Sequence, residues 1–231
     1  MLLRDNFSMT AVVLWMTVLI FSLSVHEFAH AWTAWKSGDD TAARMGRLTL
    51  NPLAHLDFLG TIMILFAPIG WAKPVPVNPS RFKKPRRDEI LVSMAGPASN
   101  IVIAMLAGLG LRGLTMAHGN LLQAASGGVD LFAALAGALS LLVFLNFALA
   151  FFNLIPIFPL DGSHVLENLL PLEAQMRYRE IRPYLPFVLL ALIFFTPVLS
   201  YLIIVPLSYL APLLTGYSLN ALFHMVGAVT S

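Results

Sequence analysis

Residues 9–35 read MTAVVLWMTVLIFSLSVHEFAHAWTAW. The first seventeen of these residues carry no charge, and a membrane-spanning helix needs about 20 mostly apolar residues. The same run then contains His-Glu-x-x-His at 26–30. On a helix His26 and His30 lie on one face, one turn apart, so both imidazoles can reach one metal ion. Glu27 lies beside them, where it can take a proton from water. The stretch therefore combines a zinc-hydrolase pattern with a membrane span.

The composition of the whole chain indicates a polytopic membrane protein. Of its 231 residues 58% are hydrophobic and 11% are charged, and the mean hydropathy is +0.79. Soluble domains carry about 25% charged residues. The first apolar run is too long for a cleavable signal and is predicted to be a mature spanning helix. There is no cysteine, which excludes disulfides and leaves His, Asp and Glu as metal ligands.

Apolar runs of sufficient length predict an all-α fold with about five transmembrane helices. They lie at roughly 10–35, 89–116, 131–155, 185–204 and 206–227. The last two are separated only by the region around Pro206. We expect a single membrane domain over 1–231, with a catalytic core at about 10–170 and C-terminal helices at about 185–227.

Residues 58–71, FLGTIMILFAPIGW, are short for a span and contain Gly60, Pro68 and Gly70. The flanking stretches 46–52 and 73–79 alternate apolar and polar residues and contain prolines, which favours extended chain. The pattern predicts a small membrane-associated β element that holds 58–71 as a re-entrant segment. If 58–71 crossed the membrane instead, the protein would have six spans.

The distribution of basic residues favours the re-entrant alternative. With it, 12 of the 14 Lys and Arg residues fall on one face of the membrane, and only Arg4 and Arg112 fall on the other. If 58–71 crossed, the basic cluster at 73–87 would lie opposite Arg44 and Arg47. The positive-inside rule makes the rich face cytoplasmic. We therefore expect the N-terminus outside and the active site toward the cytoplasm.

A catalytic zinc site needs a third protein ligand and one open position. The second dense polar feature, FFNLIPIFPLDGSH at 151–164, ends the third main span near the same face as the two histidines. Irregular backbone at membrane depth lines a cavity or is buried in protein. Asp161 leads among the candidates for the third ligand, and His164 is the alternative. His118 falls on the opposite face, and no ligand motif surrounds His224.

Three separated motifs resemble the site-2 protease family of intramembrane zinc metalloproteases. They are HEFAH at 26–30, GPASN at 96–100 and NLIPIFPLDG at 153–162. The stretch GRLTLNPLAHLD at 46–57 looks like the compact prokaryotic branch without a PDZ domain. The resemblance implies one Zn²⁺ per chain, bound by His26, His30 and Asp161. It also implies Glu27 as general base, Asn153 near the substrate carbonyl, and a prokaryotic inner or plasma membrane.

The expected function is endoproteolytic cleavage of transmembrane segments near the cytoplasmic side. The expected partners are a transmembrane protein substrate and the lipid bilayer. The alternatives are a non-enzymatic metal or ion transporter, which needs no base at the Glu27 spacing, and a membrane scaffold. The basic run RFKKPRR at 81–87 indicates a topology signal and an anchor to anionic lipid, and we expect no nucleic-acid partner. The oligomeric state is left open.

Four further polar or small residues have mainly structural interpretations. Asn100 is expected to form a hydrogen bond in the cavity. Gly96 is expected at a close contact between helices. His55 and Asp57 are interpreted as a structural pair under the β element, with substrate binding as the alternative.

Overall fold

The computed structural model describes residues 8–66, 70–118 and 131–230. Ten α-helices lie in these ranges: α1 (Met9–Ser37), α2 (Thr41–Arg44), α3 (Phe58–Phe66), α4 (Pro85–His118), α5 (Leu131–Asn153), α6 (Asp161–Leu169), α7 (Leu172–Ile181), α8 (Leu185–Phe195), α9 (Val198–Thr215) and α10 (Leu219–Thr230). Short 3₁₀ turns lie at Pro52–Ala54, Pro79–Arg81 and Arg182–Tyr184. The predicted all-α polytopic fold is confirmed.

Both ends of the first spanning helix, α1, are capped by hydrogen bonds. Ser8 precedes α1, and its hydroxyl accepts the Ala11 N–H at 3.1 Å. At the other end Gly38 adopts φ 109°, a left-handed conformation that glycine reaches without a Cβ penalty. The Gly38 N–H then bonds the Trp35 carbonyl at 3.1 Å. The 29-residue helix between these caps is long enough to cross a bilayer.

Among the described residues four helices are long and apolar enough to span, namely α1, α4, α5 and α9. The C-terminal helices begin and end at different residues from those predicted. Residues 185–204 break at Thr196, which is extended (φ −138°, ψ 151°) because Pro197 disfavours helix in the residue before it. Pro206, the predicted boundary, lies inside α9, and proline is tolerated in a membrane helix. The last helix, α10, has only 12 residues.

The predicted β element is reduced to one antiparallel bridge between Leu56 and Ala72, and the described residues contain no named strand. The prolines at 52, 74, 76 and 79 account for this, because each removes a backbone donor from a potential ladder. Residues 73–78 have no regular secondary structure, whereas the 46–52 stretch forms turns and bends that lead into a 3₁₀ helix.

The two ends of the 58–71 segment meet. Leu56 bridges Ala72, and the Lys73 N–H donates to the His55 carbonyl at 2.8 Å. The helix between them, α3, has nine residues and is about 13 Å long, less than half of the roughly 30 Å hydrocarbon core. The chain therefore leaves and returns at one place, as the re-entrant prediction requires. Residues 67–69 of this segment lie outside the described residues.

Helices α4 and α5 form the centre of the bundle: α1 and α9 each pack against both of them, and α10 packs against α5 and α1. The main core cluster is contributed by α4, α5, α9 and α10; its buried members are Ala104, Ala107, Leu111, Ala136, Val143, Phe147, Leu207, Ala211, Leu219, Leu222 and Met225. Small residues in this cluster let the backbones approach closely, which is how membrane helices gain packing energy.

Contacts between distant segments bring Arg81 and Arg86 to one end of the bundle, away from Arg112. Arg86 at the start of α4 donates to the Leu170 carbonyl at 2.7 Å, and Arg81 pairs with Asp40 after α1. Arg112 lies at the other end of α4, where its guanidinium is 3.5 Å from the Leu213 carbonyl. The start of α4, the end of α1 and the connection after α6 thus share one end.

Candidate metal centre and active-site cavity

His26 and His30 occupy the buried face of α1 and are 4% and 8% exposed. Their spacing of four residues places the rings one turn apart, edge to face, with centroids 4.6 Å apart and planes at 79°. The two Nε2 atoms approach to 3.0 Å. Since each ring has its other nitrogen engaged by an acceptor, both Nε2 lone pairs point into the same small space.

Asp161 reaches that space from the first residue of α6. Pro156 and Pro159 prevent α5 from continuing, and the turn between them carries the chain back under the histidines. Asp161 Oδ2 lies 3.2 Å from His26 Nε2 and 3.3 Å from His30 Nε2. The oxygen is buried yet accepts no hydrogen bond of acceptable geometry from the described residues.

These three atoms fit a tetrahedral zinc ion. Their separations of 3.0, 3.2 and 3.3 Å match the edge of about 3.3 Å expected for ligands about 2.05 Å from one metal. Burial raises the pKa of the Asp161 carboxyl, but without a metal the positive charge of protonated His30 and His26 outweighs burial and holds that pKa well below its usual range. An ionised carboxylate and two imidazole nitrogens form a zinc donor set.

The Nδ1 atoms of both histidines are fixed by acceptors on α4. His30 Nδ1 donates to the Val92 carbonyl at 2.7 Å, which leaves Nε2 as the free lone pair. His26 Nδ1 lies 2.6 Å from Asn100 Oδ1, so the expected hydrogen bond of Asn100 forms, but Asn100 is fully buried behind the cavity wall rather than in the cavity. Such partners fix ring orientation and tautomer in metal sites.

Asn146 extends this network and was missed by the sequence reasoning. Asn100 Nδ2 donates to Asn146 Oδ1 at 2.8 Å, and Asn146 Nδ2 donates to Ser22 Oγ at 2.9 Å. Ser22, Asn100 and Asn146 are fully buried, so α1, α4 and α5 are joined by one polar chain that ends on His26. The sequence does carry a signal for Asn146: it is an amide side chain in the apolar middle of a span, and burying such a group without hydrogen-bond partners is costly.

Gly96 provides the space for the two rings. A Cβ at this position would lie 2.4 Å from His30 Nε2 and 2.6 Å from His26 Nε2. The predicted close contact is therefore with the metal-site side chains themselves. Only glycine lets α4 approach the histidines this closely.

Glu27 and Asn153 line the same cavity as the His–His–Asp group. Glu27 Oε2 accepts the Val75 N–H at 3.0 Å, so the 73–78 segment holds the carboxylate. Asn153 closes α5, where its amide donates to the Leu149 carbonyl at 2.9 Å. The cavity has a volume of about 630 Å³, and its walls come from α1, α4, α5, α6 and the 70–79 segment.

The remaining predicted candidates lie away from the three-atom group. His164 Nδ1 lies 3.4 Å from Glu89 Oε1 at another part of the cavity wall. His55 and Asp57 do not pair with each other: His55 Nε2 contacts the Thr49 carbonyl at 2.8 Å, and Asp57 accepts the Gly60 N–H at 2.8 Å. Both contacts stabilise the base of the re-entrant segment.

The sequence of this chain is similar to one family model and to several known proteins. The sequence model described as "Peptidase family M50" matches residues 14–196. A Bacillus subtilis protein described as "Putative zinc metalloprotease YwhC" is 46% identical over 186 residues, which cover 80% of this chain and 81% of that protein.

Two mycobacterial proteins, both described as "Putative zinc metalloprotease Rip2", also match. The Mycolicibacterium smegmatis protein is 32% identical, covering 78% of this chain and 66% of that protein. The Mycobacterium tuberculosis H37Rv protein is 35% identical, covering 89% of this chain and 70% of that protein. No solved structure matches the chain significantly.

Proposed function

The chain belongs to peptidase family M50, the site-2 protease family of intramembrane zinc metalloproteases, and from this we propose that it cleaves transmembrane segments of membrane proteins near their cytoplasmic ends. Family membership decides for the protease over the transporter and scaffold alternatives. One observation carries the proposed site: His26, His30 and Asp161 converge within 3.3 Å beside Glu27 in one cavity.

In the proposed site His26, His30 and Asp161 hold one zinc ion. Bound there, zinc supplies a Lewis acid that activates water and polarises the substrate carbonyl. The acceptors on α4 keep both histidine rings in the tautomer that presents Nε2. Three protein ligands would leave a bound zinc ion one position for water or substrate, which catalysis requires.

Glu27 acts as the general base and then as the general acid. One carboxylate oxygen accepts the Val75 N–H, which orients the group and leaves the other oxygen for the attacking water. The carboxylate takes the water proton as the peptide carbonyl is attacked, and it later gives a proton to the leaving amine. Such positioned proton transfer contributes about 10²–10⁴-fold to a rate.

Substrate orientation is assigned to Asn153 and to the segment 73–78. Asn153 donates one amide proton to the Leu149 carbonyl, and its second amide proton is available to the substrate carbonyl oxygen. A helical substrate must unwind before its peptide bonds can be attacked. Residues 73–78 carry no strand partner among the described residues. The N–H groups of Lys73, Val75 and Asn78 already have acceptors, so we assign contact with the unwound chain to the remaining backbone groups and the side chains of this segment.

The proposed location is the inner or plasma membrane of a prokaryotic cell, with the N-terminus outside and the active site toward the cytoplasm. The concentration of 12 of the 14 basic residues on one side supports this orientation. We assign the whole chain to one membrane domain, with the catalytic core at about 10–170 and the C-terminal helices at about 185–227.

The test is a Glu27→Gln variant assayed on a model transmembrane substrate in detergent or proteoliposomes. We expect cleavage to fall at least 10²-fold while bound zinc stays at one ion per chain, because the three ligands are unchanged. Glu173→Gln is the matched control, since Glu173 is an exposed acid on α7. Undiminished cleavage by Glu27→Gln would remove Glu27 from the mechanism.

A further inference from the structure

Three carboxylates line the active-site cavity, and the proposed chemistry uses only two of them. Asp161 is assigned to the metal and Glu27 to proton transfer, which leaves Glu89. No lysine or arginine is among the described residues that line the cavity. One zinc ion balances the charges of Asp161 and Glu27, so Glu89 gives the loaded cavity a net negative charge.

Glu89 lies on α4 toward the basic end of the bundle. It precedes Gly96, which touches both histidine rings, by seven residues, and seven residues of helix span about 10 Å. Its side chain is 24% exposed, and the His164 ring beside it is 31% exposed. The carboxylate is therefore accessible from the cavity, about two helical turns before the glycine that meets the histidines.

The contacts of Glu89 leave room for a further donor. The separation of Glu89 Oε1 from His164 Nδ1 is long at 3.4 Å, and the Asn168 side chain is a second neighbouring donor. An ionised carboxylate offers about four acceptor sites. Arg182 lies near enough to attract Glu89, but its close contacts are with Glu167 at 3.3 Å and with the Phe158 ring, whose centroid is 4.3 Å from the guanidinium carbon. Arg182 thus already has an acidic partner and an aromatic one.

We propose that Glu89, with His164 beside it, forms a subsite for a cationic side chain of the substrate, a lysine or an arginine. The assignment rests on the proposed function of the cavity. The rise of about 10 Å along α4 between Glu89 and Gly96 equals about three residues of extended chain at about 3.3 Å each, so we expect the recognised residue near position three from the scissile bond. The cytoplasmic ends of transmembrane segments carry an excess of Lys and Arg, so natural substrates present such a residue there.

The subsite also accounts for how the enzyme selects a position along a transmembrane segment. Apolar side chains in the segment are similar to one another and offer little to set the register. A single cation held by Glu89 sets the register, because it defines which peptide bond lies beside the metal centre. Charge-assisted hydrogen bonds of this kind are about twice as strong as neutral ones.

The test uses model transmembrane substrates with Lys, Gln or Glu at each of positions one to five on the cytoplasmic side of the cleaved bond. For the wild type we expect kcat/KM to be about tenfold higher with Lys than with Gln near position three, and lowest with Glu. In Glu89→Gln the Lys/Gln ratio falls to about one. In Glu89→Lys the order inverts, so that Glu is preferred. The control Glu173→Gln keeps the wild-type ratio.

Two outcomes would overturn the subsite. One is a wild type that cleaves Lys and Gln substrates equally at every position. The other is a Glu89→Gln protein that keeps the Lys/Gln ratio while all rates fall together, which would make Glu89 a support for the fold or for the chemistry. Failure of the wild type to cut any transmembrane substrate would instead refute the proposed function, so the two failures are distinguishable.

Discussion

The substitution Gly96→Ala adds one methyl group to α4 at the point where the helix meets both histidine rings. The new Cβ would lie 2.4 Å from His30 Nε2 and 2.6 Å from His26 Nε2. Non-bonded carbon contacts are comfortable at about 3.5 Å, so the rings or the helix must move by about 1 Å. Metal–ligand distances tolerate only about 0.2 Å. The rings have little freedom to yield, because α4 itself fixes their Nδ1 atoms.

We therefore expect Gly96→Ala to lower zinc affinity at least 10–100-fold, the loss typical when ligand orientation is disturbed. Cleavage should fall about 100-fold, as for a 1 Å misplacement of reacting groups. Zinc content by elemental analysis and affinity by chelator competition measure the first effect, and a transmembrane substrate measures the second.

Gly113→Ala on the same helix is the matched control, since nothing lies within 4 Å of a Cβ at Gly113. It should retain both zinc and activity. A Gly96→Ala protein that binds one zinc ion with wild-type affinity would refute the steric reasoning, whatever its thermal stability.

Three further outcomes are expected. Asn100→Leu removes the acceptor for His26 Nδ1 and should weaken zinc binding about 10–100-fold in chelator competition. Unchanged zinc affinity would show that this hydrogen bond does not affect how His26 binds the metal. Asp39→Ala removes a fully buried carboxylate that accepts N–H groups from Thr41 and Asn78, and it should lower the free energy of unfolding by about 3 kcal/mol; a shift below 1 kcal/mol in denaturant titration would contradict this. Stripping the wild type with a chelator should abolish cleavage, and Zn²⁺ but not Mg²⁺ should restore it, because imidazole ligands disfavour magnesium; restoration by Mg²⁺ would count against the donor set.

The course of the re-entrant segment could be predicted from charge and segment length alone. A short apolar run with prolines on both sides, together with the bias of basic residues, led to the prediction that 58–71 returns to the side it entered. The bridge between Leu56 and Ala72 agrees with that prediction. The predicted β element was larger than the single bridge that the structure contains among the described residues. Alternating side chains indicate extended backbone, but they do not supply a partner strand. The prolines in both flanks keep such a ladder from forming.

The sequence by itself determined the features that depend on local periodicity. These are the all-α membrane fold, the pairing of His26 and His30 on one helical face, and Glu27 beside them, because helix geometry follows from neighbours within one or two turns. Only the tertiary structure decided that Asp161 rather than His164 meets the two histidines, that Asn146 completes their support, and where the C-terminal helices begin. Those outcomes depend on how α1, α4, α5 and α6 pack against one another. A contact between residues over a hundred positions apart is set by the shapes of several helices together, and no local pattern encodes it.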